Sequence, residues 1–213
     1  MLAALGFVVA WFIGGVLGAD LLAKLWPGPP VRESGSGNPG ASNALRVRGK
    51  LFALLVLLWD AAKAVLVLLV LAPLVQKQGG SMSPESYSAL LGLAAVAGHI
   101  WPPLSGFKGG KGVATALGVI AVLLPALLPW VLGVWLIVFL TTGYSGLASA
   151  LAALVLPLWA ISTGDVESGK ALMAFCMMLT ALVLGAHRQN LQRLVRGEEN
   201  QFVFPWQKST DEK

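Results

Sequence analysis

The chain has 213 residues, 56% of them hydrophobic and only 12% charged, with a mean hydropathy of +0.76 and a formal net charge of +5. Charged content is about half that of a soluble domain, and several apolar runs reach the roughly 20 residues that cross a bilayer. These values argue against a soluble enzyme, and continuous rather than alternating runs argue against a transmembrane barrel. One all-α polytopic membrane domain over residues 1–213 is expected. The lone cysteine, Cys176, lies in an apolar run and can form no intrachain disulfide.

Leu2–Leu25 reads as one retained helix: no Lys or Arg precedes it, and no clear small-residue cleavage site marks it as a signal peptide. Pro27, Pro29 and Pro30 end it. The segment Val31–Lys50 follows, with the turn-forming run Ser34–Asn43 and then Arg46, Arg48 and Lys50. A second helix is expected over Leu51–Val75. Asp60 and Lys63 lie deep within it at i, i+3, on one face. Ionisable residues inside a span are costly and usually functional, so the pair either fixes helix packing or serves a site. Gln76–Glu85 is a polar loop. Ser83-Pro84-Glu85 reads as a helix start, with Ser83 as cap, opening a third helix to Ile100.

The third helix ends at His99, Trp101, Pro102 and Pro103. Phe107-Lys108-Gly109-Gly110-Lys111-Gly112 comes next, a doubly charged glycine-rich turn between apolar runs. Such a turn suits an anion held by ammonium groups and backbone N–H groups at a helix start. Val113–Thr142 is long enough for one over-length span or two short ones. Pro125 and Pro129 favour a tight hairpin. Leu147–Ile161 and Lys170–Gly185 are further spans, separated by the polar turn Ser162–Gly169, and the tail from His187 is polar and arginine-rich.

Charge decides the count. With seven transmembrane helices, the N-terminus lies outside and the C-terminus in the cytoplasm. Twelve of the 15 Lys and Arg residues then face the cytoplasm; Lys77 and Lys170 face out and Lys63 is mid-span. Six spans would put Arg188, Arg193 and Arg196 outside, against the positive-inside rule. Seven also bring Ser34–Lys50, His99–Gly112 and His187–Glu199 to one cytoplasmic face. Those segments are rich in cations and in amide and hydroxyl donors, which suits phosphate-bearing ligands. No metal is expected, because His99 and His187 have no partner at ligand spacing. Lys111 is not followed by Ser or Thr, so the turn is not a Walker A loop. Leu104 and Gln192 stand where a His-x4-Asp pattern would place its acid. No Gly-x-Ser-x-Gly elbow and no serine–histidine–acid set is in evidence.

Three blocks now stand out: Ser36-Gly37-Asn38-Pro39-Gly40-Ala41-Ser42-Asn43 with Arg46; Gly98-His99 leading to Phe107–Thr115; and His187-Arg188-Gln189-Asn190 with Arg193-Leu194, Gly197 and Glu199. Their content and order resemble the three motifs of the bacterial acyl-phosphate-dependent glycerol-3-phosphate acyltransferases, over nearly the whole chain. The chain departs from the family pattern at Ala186, where a basic residue is expected, and at Glu198, an extra acid. The resemblance implies a seven-helix, multi-pass enzyme of the bacterial inner membrane with its active site at the cytoplasmic face. It would move an acyl chain from acyl phosphate to the 1-hydroxyl of sn-glycerol 3-phosphate, giving lysophosphatidic acid and phosphate, as the first step of phospholipid synthesis. Its partners would be those two substrates and membrane lipid; no cofactor and no nucleic acid is expected.

Lys108, His187, Asn190 and Ser36 are the catalytic candidates. Asn38, Ser42, Asn43, Arg46, His99, Gly109, Gly110, Lys111, Thr115, Arg188 and Glu199 are the candidates for binding substrate or phosphate. Acyl phosphate carries its own leaving group, so direct attack by the glycerol hydroxyl needs no covalent nucleophile. Either histidine, or a substrate phosphate, could serve as base. Which cluster holds which phosphate stays open. The alternative is a transporter of a small organophosphate. Against it, the sequence shows no repeat between its halves and no sign of a helix broken at the midplane.

Overall fold

The computed structural model describes residues 2–77, 82–162 and 169–204. Residues 78–81 of the expected Gln76–Glu85 loop, residues 163–168 of the expected Ser162–Gly169 turn and the tail beyond 204 lie outside the described residues. Every regular element among the described residues is helical: α1 (Leu2–Gly14), α2 (Gly18–Leu25), α3 (Ala41–Leu66), α4 (Ala72–Gln76), α5 (Pro84–Ile100), α6 (Val113–Leu123), α7 (Leu128–Thr142), α8 (Ser145–Ser162) and α9 (Gly169–Val195). Four stretches are long and apolar enough to cross a bilayer: Ala41–Gln76, Pro125–Thr142, Ser145–Ser162 and Lys170–Val195. The pair α1 and α2 makes a fifth if counted as one span. Large apolar side chains such as Leu58, Leu69, Ile137 and Leu158 point outward, as lipid contact requires.

The first expected helix is broken. α1 and α2 meet at an angle of 53° across Gly15–Leu17. The cause is tertiary. α1 packs on α5 backbone to backbone: a Cβ on Gly14 would lie 2.0 Å from the Ala95 carbonyl oxygen, and one on Gly98 would lie 2.0 Å from that of Trp11. Close approach through small residues is how helices associate where lipid removes the hydrophobic drive. At the break, the backbone groups that leave the helical ladder find partners on α3. Asp60 Oδ1 accepts from the Gly18 N–H at 3.1 Å, while the Val16 carbonyl accepts from Trp59 Nε1 at 3.0 Å and Lys63 Nζ at 3.3 Å. The sequence reading of an unbroken Leu2–Leu25, and with it the absence of a broken helix, is therefore corrected.

α3 begins ten residues before the expected Leu51. Its first turns, Ala41–Arg48, are set off by a kink at Gly49, where φ is 83°. A π-helical turn, Val67–Leu71, precedes α4 and Pro73, whose missing N–H interrupts the ordinary ladder. Ser83 caps α5 as expected, its Oγ accepting from the Ser86 N–H at 3.2 Å. The Val113–Thr142 stretch splits as the prolines suggested: α6 stops at Leu123, a 3₁₀ turn spans Pro125–Leu127, and α7 carries Pro129 in its first turn. α9 runs to Val195, so His187, Arg188, Asn190 and Arg193 belong to a helix and not to an irregular tail. The main core joins α3, α5, α6, α7, α8 and α9 through residues such as Val96, Val119, Leu156, Cys176 and Leu179.

Candidate functional site

The three polar segments converge. Ser36, Asn38, Ser42, Asn43, Arg46, His99, Lys111, His187, Asn190 and Glu199 all line one cavity of about 410 Å³. Its other walls are apolar, with Leu54 and Leu57 from α3, Leu117 and Ile120 from α6, Trp135 and Phe139 from α7, Leu156 from α8 and Leu179 and Val183 from α9. One space therefore has a cationic, hydrogen-bonding end and a hydrocarbon-like end, which fits an amphipathic ligand.

Helix α9 supplies the polar end at one-turn spacing. His187 and Asn190 are both buried and both reach the cavity wall. Asn190 Nδ2 donates to Glu199 Oε1 at 2.5 Å, and Arg193 Nε donates to Glu199 Oε2 at 2.9 Å. Glu199 thus ties the chain beyond α9 back to that helix and fixes the Asn190 amide. Asn190 Oδ1 is buried without a partner among the described residues. His187 Nδ1 lies 2.8 Å from the Val183 carbonyl, which can only accept, so Nδ1 carries the proton and Nε2 holds a lone pair. From α3, Arg46 stacks its guanidinium over Phe202 at 5.0 Å and donates to the Asn200 carbonyl at 3.4 Å. Phe202 lines the cavity beside it.

The glycine–lysine turn divides. Lys111 faces the cavity along with Gly112, Val113 and Ala114 of the first turn of α6, whose N–H groups have no partner within their own helix. Burial pulls the Lys111 ammonium down to about 8. Glu199 opposes that fall, while Arg193 and Arg46 add to it. Lys108 is exposed and outside the cavity wall; its carbonyl accepts from Arg32 Nη1 at 2.7 Å. Arg32 is itself held by Asp20 through Nε at 2.8 Å and Nη2 at 2.6 Å. Gly109 and Gly110 do not offer their amides to a ligand. Gly109 N–H donates to the Ile100 carbonyl at 3.2 Å and Gly110 N–H to the His99 carbonyl at 3.0 Å. A Cβ on Gly110 would lie 2.2 Å from His99 Nε2, and one on Gly109 2.1 Å from the His99 carbonyl oxygen. These glycines let the turn close against His99. The expected cradle of glycine amides is corrected to a packing seam, and the backbone that lines the cavity is instead that of Gly112–Ala114 at the start of α6.

Other candidates also sort by position. Asn43 lines the cavity, but its amide organises the preceding loop: Oδ1 accepts from the Ser36 N–H at 2.9 Å, and Nδ2 donates to the Val31 and Ser34 carbonyls at 2.8 and 2.9 Å. Thr115 is wholly buried against His99 and does not reach the wall. Arg188 is exposed on the far side of α9 from His187 and Asn190 and also lies outside the wall. Asp60 reaches the wall from within the bilayer-length part of α3. Its pairing with Lys63 was legible in the i, i+3 spacing, but the link onward to His99 was not. Nothing local to Asp20 or Arg32 announced their clamp on the Lys108 turn.

No group of His, Cys, Asp or Glu that could hold a metal is found among the described residues. The family model for glycerol-3-phosphate acyltransferase matches residues 4–197. The chain belongs to the glycerol-3-phosphate acyltransferase family. It is 40% identical over 193 residues to the glycerol-3-phosphate acyltransferase of Shigella flexneri, covering 90% of this chain and 88% of that one. It is 38% identical over 207 residues to that of Cronobacter sakazakii, covering 97% and 95%. Two crystal structures of PlsY, an integral membrane glycerol 3-phosphate acyltransferase, share the fold. The glycerol 3-phosphate form superposes with a TM-score of 0.81 at 35% identity, over 94% of this chain and 96% of that one. The lysophosphatidic acid form gives 0.76 at 33% identity, over 94% and 95%. The family read from the three motifs is borne out.

Proposed function

We propose that the protein acylates the 1-hydroxyl of sn-glycerol 3-phosphate with an acyl phosphate donor, releasing lysophosphatidic acid and inorganic phosphate. The observation that carries this reading is the single cavity with a cationic end joined to an apolar groove. The groove suits an acyl chain, and the cationic end suits the phosphates that both substrates carry. Relatives bearing the glycerol-3-phosphate acyltransferase name support the acceptor, and the likeness of the three motifs to those of the acyl-phosphate-dependent enzymes supports the acyl phosphate donor. A mixed anhydride needs no covalent nucleophile. The hydroxyl oxygen attacks the acyl carbonyl, its proton passes to the departing phosphate, the C–O bond to phosphate breaks, and inorganic phosphate leaves. Lys111 and the first-turn N–H groups of α6 stabilise the charge that builds on the leaving phosphate and the carbonyl oxygen. Arg46, Ser36, His187 and Asn190 hold the glycerol phosphate.

The same reading gives seven spans, counting α5 and α6 with the longer helices and α1–α2 as one. The N-terminus is then outside, the C-terminus cytoplasmic, and the cavity's polar end at the cytoplasmic face of the inner membrane. The break between α1 and α2 is a feature that carriers use for substrate. Here the groups it frees are taken up by Asp60, Lys63 and Trp59, which favours the enzyme over an organophosphate transporter. Purified protein given acyl phosphate and glycerol 3-phosphate tests the proposal. Equimolar phosphate and lysophosphatidic acid are expected, with no acyl-enzyme on chemical quench. Neither product, with glycerol 3-phosphate flux in proteoliposomes instead, would establish the transporter.

A further inference from the structure

Asp60 and His99 in the cavity wall form, with Lys63, a charged cluster that the reaction above does not use. Asp60, Lys63 and His99 are all at most 4% exposed. Lys63 Nζ lies 2.9 Å from Asp60 Oδ1, 2.9 Å from His99 Nδ1 and 3.3 Å from the Val16 carbonyl. An ammonium group has three N–H bonds and no lone pair, and here it meets three acceptors. The carboxylate that keeps it charged is in turn held by the Gly18 N–H at the start of α2. A proton on His99 Nδ1 would point at an ammonium proton. The carboxylate oxygen, 3.5 Å from that nitrogen, lies farther from it than the lysine does. Nδ1 is therefore an acceptor for Lys63, and it also takes the Thr115 hydroxyl at 3.2 Å. The proton of the neutral ring sits on Nε2, the remaining nitrogen, which packs against Gly110 and has no hydrogen-bond partner among the described residues; its side chain belongs to the cavity wall. His187, across the same cavity, has the opposite arrangement, with Nδ1 protonated by its bond to Val183 and Nε2 bearing the lone pair.

We infer that Lys63, held by Asp60 and by the break in the first span, is a positioning residue that fixes His99 as an Nε2–H donor toward a ligand oxygen. The inference rests on the proposed reaction for the identity of that ligand, a phosphate or acyl oxygen of its substrates. It gives the two histidines complementary roles in one cavity: His99 can donate but not accept at Nε2, and His187 can accept. It also gives the broken first helix a task, since the Gly18 N–H and Val16 carbonyl complete the coordination of the ion pair. Among the described residues, the charges that act on the ring are those of Asp60 and Lys63 on α3 and Asp20 on α2.

The test reads the tautomers directly. The chain has two histidines, so [15N]histidine labelling of the full-length protein in micelles gives two rings in a two-bond 1H–15N correlation spectrum. His187→Gln assigns them. The expected result is one ring of each tautomer, His99 as Nε2–H and His187 as Nδ1–H, with glycerol 3-phosphate or inorganic phosphate shifting the His99 Nε2 resonance. An Nδ1–H ring at His99 overturns the inference. In the paired variant Asp60→Asn/Lys63→Met, which leaves no unpaired buried charge, His99 should average between tautomers. A ring still fixed as Nε2–H would remove Lys63 from the role. Kinetics add a second arm. Glutamine places an amide N–H near the Nε2 position, whereas asparagine reproduces only the Nδ1 side. His99→Asn should lower kcat/KM about tenfold more than His99→Gln. The reverse order would make the ring a structural anchor for Lys63 alone. Because the spectra need no turnover, an inactive protein would refute the proposed reaction and leave the tautomer assignment standing on its own evidence.

Discussion

Lys108 and Lys111 lie three residues apart in one turn and have opposite surroundings. Lys108 is exposed, its carbonyl tied to Arg32, and it stays outside the cavity. Lys111 is in the cavity wall, largely withdrawn from water, with its ammonium pulled down to about 8. Between them, Gly109 and Gly110 press against His99 and turn the chain from the surface into the site. Two identical side chains in one motif are thus separated by backbone geometry alone. The difference teaches that charge density in a motif does not assign contact; the direction of the chain after the glycines does.

The largest expected effect is on Lys111. Lys111→Ala removes the half-buried lysine ammonium from a cavity wall whose other lysine, Lys50, is exposed, and should lower kcat/KM by on the order of 100-fold, as the loss of a charged hydrogen bond to developing charge implies. Steady-state assays with both substrates check it, and a loss under threefold would dissolve the contrast with Lys108. Gly110→Ala comes next. Its Cβ would overlap His99 Nε2, and His99 is boxed in by Lys63 and Thr115, so the turn must shift instead. We expect a kcat/KM about thirtyfold lower from displaced Lys111, and a fall in stability of about 1–3 kcal/mol by thermal melting.

The pH dependence sharpens the same point. In the free protein Lys111 is charged below about 8. A bound phosphate dianion favours the charged form, so binding raises that pKa and takes up a proton. Affinity for glycerol 3-phosphate or inorganic phosphate should be full below about pH 8 and weaken as pH rises above it, by about tenfold between pH 7 and 9. Calorimetry in buffers of different ionisation enthalpy would show the proton uptake. Lys111→Arg should lose this dependence, because a guanidinium stays charged throughout. A flat profile in the natural protein would mean that Lys111 does not meet the phosphate.

The sequence carried much of this and missed parts of it for identifiable reasons. Apolar runs and proline positions gave most of the helices, including the split at Pro125, because those signals are local. Ser83 as a cap and Asp60 with Lys63 were legible for the same reason. The convergence of the three polar segments followed from charge counting. The break at Gly15–Leu17 was not visible, since its partners Asp60, Lys63 and Trp59 lie more than forty residues away in sequence. The extent of α9 was missed because polarity was taken as the end of the helix. In fact His187 and Asn190 face the cavity, while Arg188 faces out on the same helix. The role of Gly109 and Gly110 was misread because a glycine-rich turn looks the same whether its amides bind an anion or its backbone packs against a ring.

The smallest expected effect is the other half of the comparison. Lys108→Ala should change kcat/KM by less than about threefold, because an exposed lysine near a surface contributes little in high dielectric. Its backbone carbonyl, not its ammonium, carries the link to Arg32, and alanine keeps that carbonyl. Arg32→Ala is therefore the informative companion: it breaks the bonds to both Asp20 and the Lys108 carbonyl and should cost more than the lysine it holds. If Lys108→Ala proves as damaging as Lys111→Ala, the ammonium must reach the ligand through a movement of the turn. If Arg32→Ala is the more damaging of the two, the outer half of the motif works as a hinge pin for Lys111 and not as a second anion contact.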